Sequence, residues 1–152
     1  MIVRRSNVRR GKEDNREWLY YSDDGGLTQY GADLETLLPG ARSSDMHWHE
    51  CEDEFLYVIE GEVTVKEGET NEILQPGDAA CWQAGIPVAH TILNHTDQPC
   101  LYLIVGTRVT HDVCHYPRSG NTLYTEGEAW RLVDSTDQLI SSGHCKSPPG
   151  RD

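Results

Sequence analysis

A pair of alternating histidines, a nearby carboxylate and a distant third histidine constrain this chain more than any other feature. His47 and His49 flank one tryptophan, Glu54 follows, and His90 comes 41 residues after His49. Alternate side chains of a strand share a face, so His47 and His49 are predicted to point the same way. A bend in the acidic stretch 50–53 would return Glu54 to the same interior, and His90 would complete the group from a separate strand.

The residue types in this group predict a metal site. Three neutral imidazoles and one carboxylate suit Fe, Zn, Ni, Cu or Mn far better than Ca or Mg. We therefore expect one divalent transition metal per chain, held by His47, His49, Glu54 and His90. The ligand types alone do not choose among these five metals.

The rest of the chain has the pattern of many short strands. Turn signals recur at short intervals, as at Pro39-Gly40 and Pro76-Gly77. Between the turns lie runs rich in β-branched and aromatic residues, namely 56–59, 62–66, 79–83, 90–93 and 101–105. This pattern predicts an all-β sandwich or barrel. The segment 54–59 has no polar alternation, so we expect a strand covered on both faces, by the barrel interior and by a second sheet or another subunit.

A chain of 152 residues is long enough for one domain with a sizeable core. We expect a basic N-terminal arm or first strand over 1–25 and a barrel with flanking strands over 26–140. The tail, 141–152, is rich in small and polar residues and is predicted to be flexible.

Charge and composition limit the partners and the compartment. The formal net charge of −12 argues against nucleic acid as a partner. The sequence contains no run of 18 apolar residues, so no membrane-spanning helix is predicted. Five cysteines without a CxxC pair, together with no apolar leader, favour a cytoplasmic protein with reduced thiols. Residues 1–16 hold six of the 13 basic side chains. We expect this basic arm to fold on the acidic barrel or on a partner subunit, and a short organelle-targeting peptide is the alternative.

The glycines around the histidines carry a resemblance to a known family. One segment runs from Gly40 through His47 and His49 to Glu54, and then to Gly61, with four residues before Glu54 and six after it. This segment resembles the first sequence motif of the cupin superfamily.

A second segment resembles the other cupin motif, with two departures. It runs from Gly77 through Gly85 and His90 to Asn94. Gln83 stands where a proline is common, and four residues rather than two separate Gly85 from His90. Flanking segments extend the resemblance to about residues 26–117, and they comprise 26–31, 38–40, 105–108, Asp112 and 116–117.

The resemblance implies a small single-domain metal-binding cupin with a double-stranded β-helix, or jelly-roll barrel. Cupins commonly pair through sheet edges and N-terminal arms, so a homodimer is expected. In some cupins the carboxylate that matches Glu54 leaves the metal and acts as a base. Glu54 is therefore a candidate catalytic residue as well as a candidate ligand.

Several other residues are candidates for the substrate pocket. Four of them fall on strands that could line the barrel, and Cys51 lies between two expected ligands; the strand residues are Leu56, Trp82, Tyr102 and Ile104. Arg108 is expected to pair with Asp112 or another acid. His111 and His115 are predicted to face solvent from a loop.

Three functions remain open. The preferred one is a metal-dependent dioxygenase or oxidoreductase that acts on a small phenolic, enolic or diketone molecule, with Glu54 taking the substrate proton. The second is an isomerase, cyclase or lyase that uses the metal as a Lewis acid without O₂. The third is a protein that binds a small molecule without turnover, and the ligand set does not choose among the three.

Overall fold

In a computed structural model that describes residues 1–144, the chain is built almost wholly from strands. The first half contains β1 (Arg10–Glu13), β2 (Arg16–Leu19), α1 (Tyr21–Asp24), β3 (Tyr30–Leu37), β4 (Trp48–His49), β5 (Glu54–Glu60), β6 (Val63–Glu67) and β7 (Thr70–Leu74). The second half contains β8 (Ala79–Trp82), β9 (His90–Leu93), β10 (Cys100–Thr107), β11 (His111–Tyr116), β12 (Asn121–Glu126), β13 (Ala129–Val133) and β14 (Leu139–His144). The five apolar runs correspond to β5, β6, β8, β9 and β10, so the strand prediction is confirmed there.

The strands form antiparallel sheets that enclose one barrel. One sheet has the order β1-β2-β3-β10-β5-β8, a second has β14-β13-β12-β11-β4, and β7-β6-β9 form a third. The predicted all-β jelly-roll barrel is confirmed. No helix in residues 1–144 is long and apolar enough to cross a membrane.

The N-terminal region and the C-terminal end of the described chain both contribute strands to the sheets. Within residues 1–25, β2 pairs with β3, with Leu19 opposite Leu34, so this segment extends the barrel wall. At the other end β14 pairs with β13. The sequence predicted a flexible tail over 141–152, but residues 141–144 are part of a strand because their backbone pairs with β13. Residues 145–152 lie outside the described residues.

The two faces of β5 differ sharply. Leu56 and Val58 are fully buried in the core. On the outward face Phe55, Tyr57 and Ile59 are 36%, 40% and 37% exposed. Among the described residues no second sheet covers this face, which leaves another subunit as the remaining possibility from the sequence prediction.

Candidate metal centre

Backbone pairing brings the predicted ligands together from four places in the chain. His47 and His90 form an antiparallel bridge, with N–H···O=C distances of 3.1 Å and 2.9 Å in the two directions. His49, in β4, lies opposite Cys114 in β11. The chain then bends at residues 50–51, as predicted, and Glu54 begins β5.

The side chains converge on one carboxylate oxygen. Glu54 Oε2 lies 2.9 Å from His90 Nε2, 3.7 Å from His47 Nε2 and 3.9 Å from His49 Nε2. The three histidines are buried, and the Glu54 side chain is 18% exposed. Ligand atoms of His47, His49 and Glu54 all lie within 4.8 Å of one another, close enough to hold one ion.

The hydrogen bonds of two rings fix where their lone pairs point. His47 Nδ1 lies 2.8 Å from the carbonyl oxygen of Asp45, which can only accept, so Nδ1 carries the proton. His49 Nδ1 lies 2.7 Å from Asp112 Oδ2 and donates to that carboxylate. Both Nε2 atoms therefore face Glu54, and each presents its lone pair there when only Nδ1 carries a proton.

The Glu54 oxygen itself lacks a well-formed partner. Glu54 Oε2 is buried and has no donor in hydrogen-bond geometry, in spite of the short separation from His90. Converging imidazole lone pairs beside such an oxygen are the surroundings that a divalent transition metal satisfies. The residues present fit the metal that the sequence predicted.

Asp112 belongs to this site, although the sequence predicted it only as a possible partner of Arg108. It is fully buried, its Oδ2 accepts from His49 Nδ1, and its Oδ1 accepts from the backbone N–H of Cys51 at 3.0 Å. Carboxylates in this position orient a ligating imidazole and raise its basicity. The position of Asp112 in the exit segment of the family resemblance was the available signal.

The loop predicted around Asp112 is wrong, because residues 111–116 form strand β11. Alternation along this strand turns His111 outward, where it pairs with Glu126, and Asp112 inward. His115 stacks on Trp48 with ring centroids 4.3 Å apart and contacts Glu50 at 2.7 Å. Neither histidine has a contact with the candidate centre.

The electrostatics of the site favour positive charge next to the two carboxylates. Burial alone would lower the pKa of His49, but the hydrogen bond to Asp112, with Cys114 and Glu54 nearby, raises this pKa to about 11. Burial opposes ionisation of Glu54, yet His47 and His90 hold its pKa well below the usual range. A proton on His49 Nε2 supplies this positive charge, and a bound divalent cation would replace that proton.

Trp82 holds the third imidazole by stacking. Its ring lies 3.8 Å from that of His90, centroid to centroid, at an interplanar angle of 9°. The indole N–H donates to Glu67 Oε1 at 3.1 Å, which fixes the ring from its other end. His90 Nδ1 is buried without a hydrogen-bond partner among the described residues, so this ring is oriented by stacking on Trp82 and by the approach of its Nε2 to Glu54.

Two cavities meet at Glu54. The inner cavity, of about 110 Å³, is bordered by His47, Glu54 and His90 and extends between the barrel and the N-terminal hairpin. The outer cavity, of about 240 Å³, is bordered by His49, Glu54 and the exposed Ile86. The Glu54 carboxylate therefore borders a cavity on each side of the candidate centre.

The expected pocket residues are distributed over different surroundings. Ile104 lines the inner cavity and Trp82 lines the outer one. Leu56 and Tyr102 are fully buried in the core and border neither cavity. Cys51 is exposed, and it meets the site through its backbone N–H.

Arg108 pairs with an acid, as expected, but the acid is Asp23 rather than Asp112. Its Nη2 contacts Asp23 Oδ1, and its Nη1 donates to the Leu27 carbonyl at 3.1 Å. Asp112 lies on the inward face of β11 and is bonded to His49 instead. Arg108 borders the inner cavity from the N-terminal side.

The profile of the family described as a cupin domain matches residues 33–106. The chain belongs to the cupin superfamily. No curated protein sequence matches this cupin.

Solved structures resemble this cupin over most of its length. A sugar phosphate isomerase of the cupin superfamily from Silicibacter pomeroyi is 28% identical, with a TM-score of 0.85 over 93% of this chain and 97% of that chain. A protein proposed to be a sugar phosphate isomerase, from Acidithiobacillus ferrooxidans, is 27% identical, with a TM-score of 0.80 over 90% of each chain. The polyketide cyclase RemF from Streptomyces resistomycificus is 16% identical, with a TM-score of 0.59 over 99% of this chain and 89% of that chain, a likeness of fold alone.

Proposed function

We propose that this cupin is a metal-dependent isomerase that acts on a small hydroxylated carbonyl compound of the sugar type. The observation that carries this proposal is the polar lining of the inner cavity beside the candidate ligands. Carboxylates, hydroxyls and one guanidinium border it, including Asp33, Glu35, Ser43, Ser44 and Arg108. Such groups match a substrate that presents several hydroxyls, each of which can donate and accept.

The size of the cavity supports the same substrate class. A volume of about 110 Å³ corresponds to roughly four water molecules at about 30 Å³ each. A short polyhydroxylated chain that displaces these waters can replace their hydrogen bonds. A phenolic or diketone compound offers fewer such bonds, so the Lewis-acid alternative is preferred here over the dioxygenase alternative that the sequence analysis favoured.

The similar solved structures also support an isomerase. Two proteins described as sugar phosphate isomerases, one of them a proposed one, are 28% and 27% identical to this cupin over nine-tenths or more of its length. Their names apply to those proteins, and they agree with the class of substrate that the cavity favours.

The residues assign a role to each part of the site. A divalent metal held by His47, His49, Glu54 and His90 would polarise a substrate carbonyl. Glu54 Oε2 faces the imidazoles, which leaves Oε1 to take a proton from the carbon next to the carbonyl. The same carboxyl returns this proton to the former carbonyl carbon, and the hydroxyl proton of the deprotonated carbon passes to the former carbonyl oxygen, so the carbonyl moves by one position and no oxidant is consumed.

The test is isomerisation in D₂O, followed by NMR, with a panel of aldoses and ketoses of three to six carbons. Metal-loaded protein is expected to interconvert one aldose–ketose pair and to place deuterium on the carbon next to the carbonyl. Chelator-treated protein and Glu54→Gln are expected to lose at least a hundredfold in rate. The matched control, Glu72→Gln, changes an exposed carboxylate of β7 and is expected to keep full activity.

Oxygen uptake separates this proposal from the dioxygenase alternative. The isomerase requires no O₂ and is expected to work at the same rate under argon. Substrate-dependent O₂ consumption without isomerisation would reject the proposal. Binding of sugars without any deuterium incorporation would favour the non-catalytic alternative.

A further inference from the structure

The inner cavity continues well beyond the candidate metal centre, along three paired strands. Gly31, Gly106 and Glu54 lie side by side in β3, β10 and β5. Four residues further along β3, Glu35 lies opposite Tyr102 and Trp18 on its two neighbours. Four residues of strand correspond to about 13 Å, so Glu35 borders the end of the cavity that is remote from the ligands.

That remote end contains buried polar atoms without hydrogen-bond partners. Glu35 Oε1 and the Trp18 indole nitrogen are buried there, and the Tyr102 hydroxyl lies behind them, outside the cavity lining; Trp18 and Tyr102 are close enough to Glu35 to act on its pKa, but none of the three atoms has a partner in good hydrogen-bond geometry. Glu35 and Trp18 are each 5% exposed, and both line the cavity. Buried polar atoms are rarely left unsatisfied, because this costs free energy, and such groups need a structural or ligand explanation.

Asp33 lies between this end and the ligands. Its carboxylate borders the cavity together with that of Glu35. It accepts hydrogen bonds from the backbone N–H and the hydroxyl of Ser22, at 3.2 Å and 3.0 Å, both through Oδ1. Its other oxygen, Oδ2, is therefore available to a ligand in the cavity it lines. Burial raises the pKa of Asp33 and raises that of Glu35 to about 7.

We propose that Asp33, Glu35 and Trp18 form a distal subsite that binds hydroxyl groups at the end of the substrate chain remote from the metal. A hydroxyl placed there can donate to Glu35 and accept from the indole N–H, which satisfies both orphaned groups. An anionic group is disfavoured in this place because two carboxylates border it. The inference rests on the proposed function for its substrate class, and it makes Glu35 a residue that selects for chain length rather than one that reacts.

The test is an NMR titration of the full Zn²⁺-loaded chain with D-sorbitol and with glycerol. Neither probe has a carbonyl, so binding is measured without turnover. The six-carbon probe is expected to bind more tightly than the three-carbon one and to shift the indole N–H resonance of Trp18, which Trp18→Phe identifies by its disappearance. Glycerol is expected to leave this resonance in place.

Two variants make the test specific. Glu35→Gln is expected to weaken sorbitol binding at least fivefold and to leave glycerol binding unchanged. The exposed control Glu72→Gln is expected to change neither. Because Glu35 is buried and its charge opposes folding, the neutral amide is expected to fold at least as well as the native chain; Asp33→Asn gives a second, independent variant.

The outcomes separate the subsite from the reaction. Equal sorbitol affinity in Glu35→Gln, an unshifted Trp18 resonance, or no binding of sorbitol to the native chain would each overturn the subsite. Length-selective sorbitol binding without isomerisation of any sugar would leave the subsite standing and reject the isomerase. Isomerisation of a sugar with the same chain-length preference in Glu35→Gln as in the native chain would leave the isomerase standing and reject the subsite.

Discussion

Asp112 Oδ2 lies 2.7 Å from His49 Nδ1, and the carboxylate is fully shielded from solvent. This contact sets which nitrogen of His49 carries the proton and therefore which one is offered to a metal. The other oxygen of Asp112 accepts from the backbone of Cys51, so the carboxylate also anchors the bend between β4 and β5. The geometry of the candidate centre thus depends on a residue that is 63 positions from His49 in the sequence.

Replacing this carboxylate is expected to weaken metal binding without removing a ligand. Asp112→Asn keeps the shape of the side chain but lowers the basicity of His49, so affinity for Zn²⁺ is expected to fall about 10- to 100-fold. A competition titration with a chromophoric chelator measures this change. The exposed turn variant Asp97→Asn serves as the control, and an affinity of Asp112→Asn equal to that of the control would refute the role of Asp112.

The stacking of Trp82 on His90 gives a second prediction. Trp82→Leu removes the flat surface that orients His90 and leaves space in the core. The free energy of unfolding is expected to fall by about 2–4 kcal/mol, and metal affinity is expected to fall with it. Trp82→Phe retains a ring at this position, so urea denaturation and metal titration are expected to show smaller losses; equal losses in both variants would argue against stacking as the cause.

Burial of Glu35 predicts a specific pH dependence of stability. Its folded-state pKa is raised from 4.5 to about 7, chiefly by burial and against the opposing effects of Tyr102, Arg16 and Trp18. The folded chain therefore holds a proton between these values that the unfolded chain releases, so the contribution of Glu35 to stability is greatest below pH 4.5 and is lost as the pH rises through 7.

Neutral Glu35→Gln lacks this dependence. Its stability relative to the native chain is expected to rise with pH, by at most about 3 kcal/mol between pH 4.5 and pH 8. Urea denaturation of both proteins across this range measures the difference, with Glu72→Gln as the exposed control. Parallel stability curves for Glu35→Gln and the native chain would show that Glu35 ionises in the folded protein as it does in water.

We propose that the outward face of β5 is covered by a second copy of this chain. Phe55, Tyr57 and Ile59 project from it, and Leu103 and Val105 of β10 pair beside Tyr57 and Phe55. An apolar patch of this kind is typical of an interface, and a self-complementary face gives a symmetric dimer.

Light scattering tests this proposal through the mass in solution. The native chain is expected to have twice the mass of one chain, and Tyr57→Lys is expected to shift toward a monomer. Ile73→Lys changes an exposed apolar residue on β7 and is expected to remain dimeric. A monomeric native chain would contradict the proposal.

The sequence predicted the all-β fold and the positions of the central strands because their apolar runs and glycine turns are local signals. The convergence of His47, His49, Glu54 and His90 also follows from a simple alternation, one bend and one returning strand. Asp112 was not assigned to this centre, because its partner is far away in the sequence and nothing local marks a carboxylate as buried.

Other differences have the same origin. Leu56 and Tyr102 have the parity of cavity residues, but packing around the barrel axis buries them completely. The loop expected at His111 and His115 is a strand because its neighbours β12 and β4 supply backbone partners. Glu35 was not singled out because a lone glutamate in a strand is ordinarily a solvated side chain, and only the pairing of β3 with β2 and β10 encloses it.

Metal content tests the account most directly. Elemental analysis of the full chain, purified without chelators, is expected to find close to one divalent transition metal per chain. The double variant His47→Ala, His49→Ala is expected to contain almost none, while the exposed-histidine variant His111→Ala is expected to retain it. A native chain without metal under these conditions, or a double variant with as much metal as the native chain, would contradict the assignment of His47, His49, Glu54 and His90 as a metal centre.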